Sequence, residues 1–357
     1  MSQLLVRIAK LSPPGKKQGL CFTGMRSLTT AATPYMLLKE SNLRETSGNG
    51  AVVDLNWYDP RKDETVQIPD QTLPEEFLNT MKAGSSRGWV GVKKSHDSAM
   101  CLTNMFNPSA SVSSRKVISL PPWNDSRDGL VSRISLSAPP DQQDCVVAAR
   151  TPSSSFSVCR PGDSEWTHVP VPVFLTSMTY SETDQKFYLH MGTRKKEYEG
   201  PIDLIDTTSS GFPQMSLSQR FPLSGIPRIR QEELISSSKP PYQVESPSGD
   251  SFIVYRSDEL LNIDGMESTR NKEPSFNRLG CISKPKGFMV FRQDPEQRIA
   301  SYTADIGDLC IFLGRNESFC VSATEYPGLN PNSVYYTGVD MGSGFYDLSS
   351  NTLHALP

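Results

Sequence analysis

From Ala51 onward, short apolar runs alternate with clusters of turn-forming residues. The runs are AVVDLNWYD from Ala51, GWVGV from Gly88, AMCLTNMF from Ala99, DCVVAAR from Asp144, SFSVCR from Ser155 and QKFYLHM from Gln185. Then come PIDLID from Pro201, SFIVYR from Ser251, GFMVFR from Gly287, DLCIFL from Asp308, SVYYTG from Ser333 and GFYDL from Gly344. Most are rich in Val, Ile, Phe and Tyr, with Gly, Pro, Asn or Asp near their ends, which predicts strands rather than helices. The fold class expected is all-β. About 300 residues of closely spaced strands exceed one sandwich, whereas propeller blades take about 40 to 50 residues each. The length therefore predicts a β-propeller of six or seven blades. A tally of about two dozen strands, at four per blade, favours six.

Two segments break the strand pattern. Ile229 to Ser238, IRQEELISSS, predicts a short helix running into Lys239-Pro240-Pro241. Residues 262–283 are polar, carry Gly265, Pro274 and Gly280, and predict a long loop projecting from one face. For ring closure, the run at Ala51–Asp59 is expected to pair within the blade that holds GFYDLSSNTLHAL.

The N-terminal stretch has a different character. SQLLVRIAKL, residues 2–11, sets Leu4, Leu5, Ile8 and Leu11 on one helical stripe with Arg7 and Lys10 on its flank. Residues 1–39 contain six Lys or Arg and no Asp or Glu. A basic amphipathic helix followed by acid-free sequence is the pattern of an organellar presequence, and no continuous apolar run long enough for a secretory signal is present. Residues 1–32 are therefore expected to be a disordered mitochondrial transit peptide, with plastid as the second choice. The propeller is expected over 45–357. Localisation in the mitochondrion follows.

Composition narrows the function classes. The chain carries 36 basic and 39 acidic residues. With six of the basic ones in residues 1–39, the remainder carries a net charge of −9. A domain that acidic lacks the clustered Lys and Arg that phosphates require, so no nucleic-acid partner is expected. Arg194-Lys195-Lys196 is the only dense basic run and reads as a solvated hairpin tip. No run approaches the roughly 20 apolar residues of a spanning helix. Seven scattered cysteines without a CxxC pair suit buried thiols in a reducing compartment.

Two stretches resemble a known family. GSSRGWVGVKKSHDSAMCLTNMFNPSASVSSRKVISLPPW runs from Gly84 to Trp123. From Gly287 the chain carries GFMVFRQD, ADIGDLCIFLGRNESFCVSATEYPGLNPNSVYYTG and GFYDLSSNTLHAL. Both resemble the plant family of domain of unknown function 295, the KIB-type β-propellers, over roughly residues 40–357. The resemblance implies a propeller. In many relatives it also implies an F-box and a role as substrate receptor of a ubiquitin ligase. LPEEFL at Leu73–Leu78 looks like an F-box opening, but the strand GWVGV follows within ten residues and leaves no room for the remaining helices. The similarity is to an organellar branch with a transit peptide in place of the F-box.

Candidate chemistry is thin. Gly84-Ser85-Ser86-Arg87-Gly88 satisfies G-x-S-x-G, but a nucleophile elbow needs strand, turn and helix, and here a strand follows. Ser86 reads as a turn residue. No P-loop, HExxH or EF-hand loop is present. Asp305 and Asp308 flank Gly307 and read as turn chemistry; Glu232 and Glu233 are unanchored; Cys310 and Cys320 read as core thiols. Trp57, Trp89, Trp123 and Trp166 are expected to pack between blades. No catalytic, cofactor-binding or metal-binding residue is therefore named, and no cofactor is expected. The function expected is a non-catalytic organellar scaffold for a protein partner. The alternative is an F-box-like ubiquitin-ligase receptor in cytosol or nucleus.

Overall fold

The structure is a computed structural model. It describes residues 4–6, 35–45, 50–60, 62–74, 77, 80–94, 98–106, 114–123, 131–142, 144–151, 156–169, 175–191, 211–218, 221–236, 240–262, 281–314, 317–338 and 342–356. Of the expectations above, PIDLID at 201–206, the basic run 194–196 and the core of the polar segment, 263–280, lie outside these residues. So does the presequence apart from Leu4–Val6.

The chain is all-β. An N-terminal sheet is formed by β1 (Leu4–Val6), β2 (Tyr35–Glu45), β3 (Gly50–Asp59) and β4 (Glu64–Pro74), in that order and antiparallel throughout. Five blades follow. The first is β5 (Thr80–Ser86), β6 (Trp89–Lys94), β7 (Met100–Thr103) and β8 (Val117–Leu120). The second is β9 (Arg133–Leu136), β10 (Val147–Arg150), β11 (Phe156–Cys159) and β12 (Thr167–Val169). The third is β13 (Leu175–Ser181), β14 (Lys186–Met191) and β15 (Met215–Leu217), with β15 parallel to β14.

The fourth blade takes in β16 (Leu223–Ser224), then helix α1 (Arg228–Ser236), β17 (Tyr242–Glu245), β18 (Ser251–Asn262), β19 (Cys281–Asp294) and β20 (Ile299–Thr303). Its spatial order is β16-β20-β19-β18-β17. The fifth contains β21 (Leu309–Leu313), β22 (Phe319–Ser322), β23 (Ser333–Gly338), β24 (Gly342–Asp347) and β25 (Thr352–Ala355) in the order β22-β21-β23-β24-β25.

The inner and central blade strands, such as β6, β10, β11, β21 and β23, bury both faces because sheets stack face to face around the ring. Trp89, Leu102, Ile134 and Val147 join the first blade to the second. Val146, Phe156, Met178 and Phe187 join the second to the third. Phe252, Phe288, Ile311 and Val334 join the fourth to the fifth. The N-terminal sheet completes the circuit. Its Val53 and Trp57 pack with Val90 and Val92 of the first blade, and its Met36 and Tyr58 pack with Phe312 and Tyr335 of the fifth. Those buried strands read as near-continuous apolar runs for this reason, since neither of their faces meets water.

Four expectations need correction. Uniform four-stranded blades, six or seven in number, are not what forms: five blades of three to five strands follow one another from Thr80, alongside the N-terminal sheet. The extra strands β16 and β25 are added at sheet edges, where a strand tally cannot assign them. Ala51–Asp59 does not pair with the last blade; it lies in β3 between β2 and β4, so the described closure on that side is by face-to-face packing. The polar segment at 262–283 is not wholly loop, because β18 and β19 continue as a paired ribbon to Asn262 and Cys281. Within the presequence, Leu4–Val6 pair with Tyr35–Leu37 as a strand, not as part of a helix. The expected helix does form, as α1, and Leu234 anchors it in the core beside Ile253 and Phe291.

Candidate functional site

The innermost strands β5, β9, β13, β17 and β22 contact one another in turn around the ring. Polar groups gather where three of them end. Ser86 closes β5, and Arg87-Gly88 form a two-residue turn into β6 with φ of 50° and 83°. Positive φ at both central positions is the geometry of a type I′ hairpin, whose twist matches that of the flanking strands. Gly88 takes the second position without Cβ strain. The G-x-S-x-G motif is thus strand, hairpin turn and strand.

The Ser86 hydroxyl is buried and used twice. It accepts a hydrogen bond from the Leu136 amide at 3.1 Å and donates to the carboxylate of Glu317, which lies between β21 and β22. Ser135 on β9 donates to the other Glu317 oxygen at 3.4 Å. One carboxylate therefore ties the fifth blade to the first and the second. Beside it, Arg87 donates from Nε to the Leu136 carbonyl at 2.9 Å and forms an ion pair with Glu182 at 2.8 Å. Its guanidinium also stands 5.8 Å from the ring centre of Tyr180 in the third blade. This lacing spans four of the five blades.

The arrangement is suited to holding blades in place. Ser86 is 1% exposed, which denies a substrate access to its oxygen. The described histidines are engaged elsewhere. His168 bonds Ser157 at 2.7 Å, His190 bonds Thr179 at 3.0 Å, and His354 bonds Thr352 at 3.0 Å. Burial, helped by the positive charge of Arg133, pushes the His190 imidazole down from 6.5 to about 3, so it stays neutral. Burial likewise pushes the Cys145 thiol up to about 11 and raises Cys159 and Cys310, which keeps these sulfurs protonated and poor nucleophiles. Burial lowers the Lys82 ammonium to about 8, beside the Phe106 ring. Among the described residues, no three His, Cys, Asp or Glu side chains are grouped to hold a metal ion. No described helix is long and apolar enough to cross a membrane.

The remaining sequence candidates fall where packing and turn chemistry put them. All four tryptophans are at most 7% exposed, and Trp123 meets Trp166 edge to face with centroids 5.0 Å apart. Asp305 accepts from the Gly307 amide at 2.8 Å, and Asp308 accepts from Ser322 and Thr324; these are turn bonds, and the one from the Ser322 hydroxyl lowers the Asp308 carboxyl. Glu232 and Glu233 pair with Arg228 and Arg230 along α1. Cys310 and Cys320 are buried core thiols, and Cys310 donates to the Asn330 carbonyl at 3.0 Å. Phe77 of the LPEEFL segment packs in the core between the N-terminal sheet and the first blade. Glu317 and Arg87 were not marked by the sequence, because their partners lie far away along the chain.

A ring of stacked, radially arranged antiparallel-rich sheets, with its inner strands in mutual contact, defines a β-propeller. The family model of the KIB1-4 beta-propeller matches residues 57–352, and the chain belongs to that family. A comparison with curated proteins found no match.

Proposed function

We propose that this chain is a non-catalytic β-propeller scaffold that presents its loops to a protein partner inside an organelle, the mitochondrion before the plastid. The observation that carries the reading is the use of the polar groups at the inner strand ends. Ser86, Arg87, Ser135 and Glu317 bond to one another and to the backbone across blades, which builds a rigid frame. A rigid frame displaying variable loops is the usual basis for recognition. On this reading residues 1–32 are a removable presequence and 45–357 the working domain. β1 then belongs to the precursor, and the mature N-terminal sheet is β2–β4.

The test is affinity purification of a C-terminally tagged chain with mass spectrometry, together with sequencing of the bait's own N-terminus. An N-terminus near residue 30 with organellar proteins co-purifying is the expected result. An intact Met1 with Skp-type and cullin subunits would overturn the reading in favour of a ubiquitin-ligase receptor.

A further inference from the structure

The end strand of the N-terminal sheet comes from the part of the chain that the proposed function treats as removable. β1 pairs antiparallel with the start of β2, with Leu4 opposite Leu37, Leu5 opposite Met36 and Val6 opposite Tyr35. β3 holds the other side of β2, so β1 is the last strand of the sheet. It lies against β5, the innermost strand of the first blade, and near β23 of the fifth. Residues 4–6 therefore stand at the seam where the N-terminal sheet meets both ends of the five-blade run.

Because β1 is on the same chain as β2, its pairing is intramolecular. A contact too weak to persist between separate molecules is then maintained by high effective concentration. Cutting between the two strands makes the same contact bimolecular and removes that advantage. The edge of β2 at Tyr35–Leu37 is left with unpaired N–H and C=O groups, in a slot one strand wide, about 4.8 Å. The slot also specifies one side chain. Met36 is fully buried and packs with Tyr58 of β3 and with Phe312 and Tyr335 of the fifth blade. Directly opposed residues of an antiparallel pair turn to the same face, so the position opposite Met36 calls for an apolar residue. The chain itself has a leucine at that register position.

We propose that the edge of β2 at Tyr35–Leu37 is an acceptor site for an extended segment of a partner protein with an apolar residue opposite Met36, and that β1 closes this site until the N-terminal segment is removed. Recognition is then by strand addition, in which main-chain bonds hold the segment and one pocket selects its side chain. The inference deepens the scaffold reading and rests on it for the removal of residues 1–32; the closure by β1 is a property of the folded chain alone.

The test uses the full chain with a specific protease site inserted after Ala32, purified in the folded state and cut afterwards. The probe is a labelled peptide of residues 2–11, which carries the strand already seated in the slot. Fluorescence anisotropy is expected to show saturable binding to the cut protein, freed of its fragment by gel filtration, and at least tenfold weaker binding to the uncut one. Hydrogen exchange at residues 35–37 should be slow in the uncut chain, faster after cutting and slow again with peptide. Leu5→Pro in the peptide removes an N–H and keeps both basic residues, and it should weaken binding at least tenfold. Leu5→Asp should do the same by setting a charge opposite Met36. Melting curves check that the cut ring stays folded. The uncut chain carrying Leu5→Asp opens the slot without a cut, and it should bind the wild-type peptide as the cut protein does. Equal binding by cut and uncut chains, no binding by either opened form, or indifference to both peptide changes would overturn the proposal. So would a concentration-dependent dimer of the uncut chain that Leu5→Asp abolishes, which would assign the slot to a second copy. An intact cellular N-terminus together with cut-dependent peptide binding would remove the presequence reading and leave the acceptor site standing. Equal capture of the same organellar proteins by cut and uncut chains would do the reverse.

Discussion

At the scale of single residues, the protein spends its polar chemistry on fixing positions. Glu317 shows this most directly, since its two oxygens serve hydroxyls on two different blades. Glu317→Gln is expected to lower stability by about 1–3 kcal/mol, the range for disturbing a partly buried charged hydrogen bond. Ser86→Ala should cost a similar amount, and the double variant less than the sum; urea midpoints of the four proteins would reveal strict additivity if the bond were idle. His190 supplies a pH signature. Its folded-state value of about 3 lies below the ordinary 6.5, so between those limits the unfolded chain binds more protons than the folded one. The stability it permits is complete above pH 6.5 and is lost as pH falls toward 3, by at most about 1.4 kcal/mol per pH unit. His190→Gln should flatten that decline in urea midpoints between pH 7 and 4, and parallel slopes for both proteins would refute the assignment.

At the scale of elements, the apolar runs identified most strands because burial on both faces leaves an unbroken Val, Ile and Phe signal. QKFYLHM became β14 and DLCIFL became β21 on that basis. The strands that went unmarked are those whose signal is weak. β4 (ETVQIPDQTLP) is interrupted by polar residues and proline, and β8 (VISL) is half exposed. The parallel pairing of β21 with β23 was invisible for another reason: chain order says nothing about which strand inserts next to which. The ribbon of β18 and β19 carries no clear strand signal at its far end, because Cys281-Ile282 is a brief flank of a long polar run. Its root, where Arg256 holds Asp258 at 2.6 Å, yields a prediction. Removing one partner of the buried Arg256–Asp258 pair strands the other charge, so Arg256→Ala should cost about 3–5 kcal/mol in chemical denaturation. Replacing both residues together by apolar ones of similar size should cost much less.

At the scale of the whole molecule, the ring depends on the N-terminal sheet touching both the first and the fifth blades. Trp57 is fully buried at one of those contacts and Phe312 at the other, where it stacks on Phe319 and Tyr335 at 4.9 and 4.8 Å. Trp57→Ala should cost about 3–5 kcal/mol, as for other buried aromatic truncations. Because both contacts close one ring, calorimetry is expected to show one transition moving down in temperature. Two separated transitions would mean that the N-terminal sheet folds independently. The general class of this architecture was legible in the spacing of runs and in the resemblance at 84–123 and 287–356. The clasp at Glu317 was not, because a bond spanning 231 positions leaves no mark in any local window.

That span has a temporal side. Ribosomes add about 5–20 residues per second, so roughly 10–50 s separate the emergence of Ser86 from that of Glu317. Throughout that interval the early blades exist without their clasp, holding a buried-type hydroxyl and open sheet faces that await the tail. Apolar faces left open in this way favour aggregation until the final fifty residues are present. Truncations near the C-terminus should therefore be read as failures of assembly before they are read as losses of a binding surface.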